Sequence, residues 1–261
     1  MTLTTATDIA TIRKAAEIST DILDTLRKNL KVGIYPFDIE QKAWQLTAKY
    51  KVSPSFFGVR NGHYGKYKYS CCISVNEEIL HGIPSNTRKF QSGDVVKLDF
   101  GIVYKGYYTD HCYTFIIGEP SAEDLKLVQT SKKATESAMM MAVHGNRIGD
   151  IGAIMYATVQ KEGYDVLKDY VGHGIGKHLH EDPDIPAYGI PGHGELLKEG
   201  MTLCIESQVV SGTDMTIVQP NGWTIVSADG KKASMFEYMV IVRQQKPEIL
   251  TKMQDWPIVI A

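Results

Sequence analysis

Apolar residues recur at helical spacing from the start of the chain. Ile9, Ile12, Ala16, Ile22, Leu23 and Leu26 predict an amphipathic helix over residues 5–31, with Thr7 or Asp8 as its cap. Gly33 ends it, and Asp38 is placed to cap a second helix running to about Tyr50, with Ile39, Ala43, Trp44 and Leu46 on one face. A polar, aromatic and glycine-rich stretch follows from Ser53 to Tyr69. Strand patterns then appear at 70–76 and 94–104, and Lys105-Gly106 reads as a hairpin turn into a strand over 107–117. The order repeats: Ser121 caps a helix to about Val143, and Asp150 starts another ending near Gly163. Strand patterns follow at 201–211, 215–219, 224–228 and 235–243.

The segments 33–50 and 145–162 share a glycine, then Asp-Ile five and six residues later, then a helix. With the duplicated helix–helix–strands order this predicts an α+β fold of two pseudo-symmetric halves, about 1–120 and 121–261. No low-complexity linker divides them, so the expectation is one catalytic domain over 1–261.

Composition adds little. Hydrophobic residues at 43% and charged residues at 22% are ordinary for a globular protein. A formal net charge of −2 argues against nucleic acid or an anionic membrane as partner. Cys71, Cys72, Cys112 and Cys204 show no metal-knuckle spacing and predict free thiols in a reducing compartment. Without a signal-like N-terminus or a long apolar run, the expected location is cytoplasmic.

The carboxylates change the picture. Asp99, Asp110, Glu206 and Glu237 all interrupt strand-like apolar stretches, where a charge is costly to bury without compensation. If Lys105-Gly106 is a two-residue turn, Tyr104 pairs with Tyr107 and Asp99 lies opposite Cys112. Strand alternation then puts Asp99 and Asp110 on one face as diagonal neighbours roughly 7–8 Å apart. Either aspartate alone reads better as part of a solvated hairpin face; together they repel unless a cation lies between them.

The segment GHGIGKHLHE (172–181) brings His173, His178 and His180 into eight positions with three interleaved glycines. A phosphate loop is the poorer reading, since no P-loop Lys-Ser/Thr or dinucleotide fingerprint follows. Four carboxylates and one histidine, His173, suit two divalent ions about 3.5–4 Å apart and hence hydrolysis, most naturally of an amide.

SVNEEILHGIP (74–84), KLDFGIVYKGYYTD (97–110), GHGIGKHLHE, MTLCIES (201–207) and MFEYMVIV (235–242) resemble the successive signatures of type I methionine aminopeptidases over essentially the whole chain. The resemblance implies the pita-bread (creatinase/aminopeptidase) fold, an antiparallel sheet covered by helices with internal pseudo-two-fold symmetry. It implies removal of the N-terminal methionine from nascent proteins and peptides by a metal-bridging hydroxide, preferably when the second residue is small. The implied ligands of two divalent ions (Mn, Fe, Co or Zn) are Asp99, Asp110, His173, Glu206 and Glu237, with Asp110 and Glu237 bridging and Glu206 also the general base. His180 is expected at the substrate carbonyl and His81 at the scissile amide. Tyr64, Tyr67, Cys72, Leu179 and Trp223 are the implied methionine pocket.

A monomer working on nascent N-termini near the ribosome, with no nucleic-acid or membrane partner, completes the expectation. His111, Asn61, Leu179, Ser207 and Tyr238 depart from the family's usual residues and bear on pocket shape. The rivals are a prolidase or X-Pro aminopeptidase, a creatinase-like hydrolase, and a non-catalytic binding module on the same fold. The first usually carries an extra N-terminal domain, and the module loses its ligands.

Overall fold

The computed structural model describes residues 2, 3 and 5–261. Helices α1 (Ala6–Arg27) and α2 (Pro36–Tyr50) precede strands β1 (Cys71–Val75), β2 (Asp94–Phe100) and β3 (His111–Ile117). Helices α3 (Ala122–Met139) and α4 (Ile148–Lys161) precede β4 (Gly172–Gly174), β5 (Glu181–Ile185), β6 (Thr202–Val210) and β7 (Ala233–Ile241). These seven strands form one antiparallel path in the order β5-β4-β6-β7-β3-β2-β1, extended to ten strands by the short pieces Asp165–Val166, Glu248–Ile249 and Val259–Ile260. Strands from both sequence halves thus share one sheet, joined where β7 meets β3.

Alternation divides the sheet's two faces. Leu98, Phe100, Tyr113, Phe115, Leu203, Ile205, Phe236 and Tyr238 face one side, where they join one core cluster with Ile22, Leu23 and Leu26 of α1, Ala43 of α2, Val128 of α3 and Met155 of α4. The opposite face is left for residues such as Asp99, Glu206 and Glu237.

Ser121 caps α3 as expected, accepting the Asp124 N–H at 3.0 Å, but the other three helix starts differ from the sequence expectation in a consistent way. Thr5, not Thr7 or Asp8, caps α1 by accepting the Asp8 N–H at 3.1 Å. Helix α2 begins at Pro36, so Asp38 sits three residues inside it and accepts the Tyr35 N–H at 2.8 Å. Asp150 does the same in α4, accepting the Arg147 N–H at 2.7 Å. The Gly-x4-Asp-Ile repeat therefore codes the same inner half of a capping box twice.

The strand pattern at 94–104 breaks at Gly101. Beyond it, Ile102–Tyr104 pairs with Tyr107–Tyr108 and with Ser53–Pro54 in a separate small sheet. A Cβ on Gly101 would lie 2.0 Å from the Thr109 carbonyl oxygen, so only glycine allows the hairpin to cross between sheets here. Lys97, on β2, is buried and its ammonium reaches the carbonyls of Asn76 at 2.8 Å and Ala233 at 3.2 Å, tying the turn before His81 to the start of β7. Strands β4 and β5 are absent from the sequence expectation, which treated 172–181 only as a glycine- and histidine-rich motif. No helix among the described residues is long and apolar enough to cross a membrane.

Candidate metal centre

One lateral row crosses the open face of the sheet. The register sets Cys72 opposite Asp99, Asp99 opposite Cys112, Cys112 opposite Glu237, and Glu237 opposite Glu206. Directly opposed residues share a face, so these five side chains project together. A second row lies two residues away: Asp110 precedes Cys112 by two, Cys204 precedes Glu206 by two, and Cys204 pairs with His173. The hairpin turn fixes the first pairing. Lys105 and Gly106 take φ of 49° and 76°, the left-handed values a two-residue hairpin turn requires, and Tyr104 pairs with Tyr107 as the sequence predicts.

Glycines frame the histidine. A Cβ on Gly172 would meet the Cys204 carbonyl at 2.5 Å and one on Gly174 the Asp182 carbonyl at 2.2 Å, so β4 can lie this close to both neighbours only with glycine on each side of His173. His173 Nδ1 donates to the Gly174 carbonyl at 2.9 Å, which leaves Nε2 bare and 3.9 Å from Asp110 Oδ2.

Asp99, Asp110, His173, Glu206 and Glu237 are all buried. Donor atoms of Asp99, Asp110 and Glu237 lie within 4.8 Å of one another, as do those of Asp110, His173 and His180, and those of His173, Cys204 and Glu237. Glu206 joins none of these three groups. Its carboxylate is bonded by the side-chain amide of Gln208, two residues on and on the same face. Gln208 was missed from sequence, where a glutamine in a strand carries no chemical signal.

The electrostatics are those of a centre short of positive charge. Burial, and after it the Glu237, Asp99 and Glu206 charges, raise Asp110 well above the usual carboxyl range. Glu237 is raised in the same way, by burial and then by Glu206 and Asp99. Burial takes Asp99 up to about 7, and burial with the Asp99 charge takes Glu206 up to about 8. Burial and the adjacent His180 hold His173 down at about 3, neutral and ready to ligate. Asp99 Oδ1, Asp110 Oδ1 and Glu237 Oε1 are buried with no hydrogen-bond partner. Orphaned oxygens of this kind, from three carboxylates facing one volume, fit divalent cations.

The sequence profile of metallopeptidase family M24 matches residues 10–244. The chain belongs to that family. A methionine aminopeptidase of Clostridium acetobutylicum is 42% identical over 245 residues, 94% of this chain and 96% of the relative. The solved methionine aminopeptidase from Thermotoga maritima has a TM-score of 0.90 at 39% identity, covering 97% of this chain and 100% of that one. The Xaa-Pro dipeptidase from Bacillus anthracis shares the fold at a TM-score of 0.77 and 21% identity, with 64% of its chain covered. The pita-bread fold expected from the motifs is therefore the fold, and the centre is that of a metallopeptidase taking divalent ions.

Around the M24 centre, Tyr67, Cys72, Leu179 and Trp223 fall into one apolar cluster, which also holds Phe56, Cys204 and Met239. Tyr67 and Trp223 meet edge to face at 5.0 Å between ring centroids. Tyr64 stands outside that cluster: it is exposed, and its ring packs on Gly222, whose carbonyl accepts from Asn61 at 2.9 Å. His180 lies edge-on to His173, with centroids 4.5 Å apart. His81 takes φ of 55° and meets Tyr170 edge to face, with ring centroids 6.3 Å apart. The residue is exposed, yet the protein packed around it and then the nearby His180 hold its pKa low. A cleft lined by His173, His178, His180, Glu181, Asp182 and Asp184 opens onto the centre.

The departures from family pattern sort by face. Ser207 bonds Thr135 of α3 at 2.8 Å, and the Tyr238 hydroxyl bonds Glu136 of the same helix at 3.1 Å. His111 is buried beside Phe100, a residue of the helix-side core. All three sit on the helix side of the sheet, away from the pocket.

Proposed function

We propose that this M24 peptidase removes the amino-terminal methionine from nascent chains and peptides, preferring a small second residue, with two divalent ions held by Asp99, Asp110, His173, Glu206 and Glu237. The observation that carries the reading is the set of buried, unpartnered carboxylate oxygens from Asp99, Asp110 and Glu237 grouped beside a neutral His173. It is supported by full-length relatives named methionine aminopeptidases. When bound, the ions supply a water activated at neutral pH and polarise the scissile carbonyl.

The protein's own groups do the rest. Asp110 and Glu237 would be shared between the two ions, with Asp99, His173 and Glu206 completing the set that holds them. Glu206 takes the proton of the attacking water, and the Gln208 amide fixes its carboxylate while it does so. His180 donates to the oxygen on which negative charge develops, and His81 to the amide nitrogen that departs. Tyr67, Cys72, Leu179 and Trp223 form a socket of aromatic and sulfur surface suited to a polarisable thioether, with Tyr64 at its rim. The same reading has the protein act as a monomer on chains leaving the ribosome in the cytoplasm.

Metal-free protein reloaded with Mn²⁺ or Co²⁺ should release methionine from Met-Ala-Ser, and Glu206→Gln should lower kcat on the order of 10²–10⁴-fold. Cleavage of an X-Pro peptide without methionine release would overturn the substrate assignment. A protein that takes up no metal and hydrolyses nothing would favour a binding module.

A further inference from the structure

Cys204 lies inside the donor set, although the function proposed above gives it no part. It precedes Glu206 by two on β6, so strand alternation aims both side chains at the same face. Its backbone pairs with His173. The residue is fully buried. Its sulfur, a ring nitrogen of His173 and a carboxylate oxygen of Glu237 all lie within 4.8 Å of one another. Glu237 Oε1 has no hydrogen-bond partner, and the thiol, besides a 3.8 Å contact with the Asp110 carbonyl, interacts with the Glu237 carboxylate.

We propose that Cys204 is a ligand of the metal centre on its His173 side, forming an imidazole–thiolate–carboxylate subsite that favours thiophilic ions such as Zn²⁺, Cd²⁺ and Co²⁺ over Mn²⁺ and Mg²⁺. This deepens the metal-centre reading and rests on it. With metal–sulfur bonds of about 2.3 Å and metal–nitrogen bonds of about 2.0–2.1 Å, donors on one tetrahedral ion sit roughly 3.3–3.7 Å apart. Donors already within 4.8 Å need close by only about an ångström, which small side-chain rotations supply. As the sulfur–metal bond forms, the sulfur–hydrogen bond breaks and the proton passes to solvent, with no change of oxidation state. The same cation offsets the charge that otherwise opposes a thiolate among carboxylates. Sulfur in an otherwise oxygen-rich set shifts its preference toward softer ions.

Cys112 is the natural control. It is also buried, on the same face in the neighbouring row, but its sulfur joins none of the grouped donors and points to the Met235 carbonyl at 3.8 Å. The competing role for Cys204 is that of a small apolar residue filling the cluster it shares with Leu179 and Met239.

The test is an anaerobic titration of metal-free wild-type protein with Co²⁺. An intense near-ultraviolet thiolate-to-cobalt band should grow in step with the weaker visible cobalt bands. Cys204→Ser should lose it and Cys112→Ser keep it. Cys204→Ser should also bind Zn²⁺ and Cd²⁺ more weakly, with Mn²⁺ affinity unchanged. Visible cobalt bands without the near-ultraviolet band in the wild type would overturn the Cys204 ligand and leave the oxygen-and-histidine centre standing. No cobalt uptake at all would overturn both. A band lost in Cys112→Ser but kept in Cys204→Ser would assign the sulfur to the other strand and defeat the proposal. Should Cys204→Ser fail to fold, the ¹¹³Cd resonance of wild-type protein answers the same question, since sulfur ligation moves it far from the all-oxygen position.

Discussion

His180 shares a volume with Asp110 and His173, which places one of its ring nitrogens among metal donors as well as on the wall of the cleft. Its assignment as a substrate contact therefore makes a sharp prediction. His180→Ala and His81→Ala should each slow turnover roughly 10²-fold or more while metal content, read by elemental analysis, stays that of the wild type. Loss of an ion equivalent in His180→Ala would make it a ligand instead. The residues legible in sequence at this scale were those whose burial is conspicuous, such as Asp99 and Glu237 within apolar strands. Gln208 was not legible, because an uncharged amide in a strand costs little and signals nothing until its partner Glu206 is seen. Glu40 was missed for a related reason. On a helix it reads as surface, yet it is buried and accepts from Ser70 N–H at 2.7 Å and Ser70 Oγ at 2.6 Å.

Among elements, the hairpin carries two aspartates by two separate devices. The left-handed turn at Lys105-Gly106 sets the register, and Gly101 lets the chain leave the large sheet without losing it. The pairing sums agree on both sides of the break, Tyr104 with Tyr107 and Asp99 with Cys112. Gly101→Ala should force the Thr109 carbonyl away and displace Asp110 next to it. The expected cost is about 1–3 kcal/mol of stability together with weakened metal binding, measured by calorimetry and metal titration. An unchanged melting temperature and unchanged metal affinity would show that the crossing relaxes freely. Side-chain parity and a two-residue turn made this hairpin readable in advance. Strand β4 was not readable, because three residues of which two are glycine have no periodicity, and the strand exists only through the close approach of β5 and β6.

For the whole molecule, the sheet gathers buried acids from both halves around one point, and that arrangement has consequences for pH and metal. In the metal-free protein Asp99 and Glu206 titrate at about 7 and about 8, and Asp110 and Glu237 are also raised well above the ordinary carboxyl range. The folded state thus holds protons that the unfolded chain, with carboxyl pKa values near about 4, has already released. The stability these groups contribute is full below about pH 4 and drains away as pH rises through about 7 and 8. Buried His173 and His111, held near 3 and 4 mainly by burial, act in the opposite sense, but only until the unfolded histidines lose their protons near about 6.5. Lys97, lowered to about 7 mainly by burial, adds a single opposing proton above that point, against several carboxyls. The melting temperature of metal-free protein should therefore fall between about pH 6.5 and 8.5. Saturating Mn²⁺ should raise it most at the alkaline end, because the ion takes the place of the protons and binds only the folded state. Asp99→Asn should flatten the metal-free slope. Scanning calorimetry at several pH values, with and without Mn²⁺, reads all three effects. A metal-free melting temperature that rises across this window would mean that the carboxylates are not protonated in the fold, and that some charge other than a bound cation balances them.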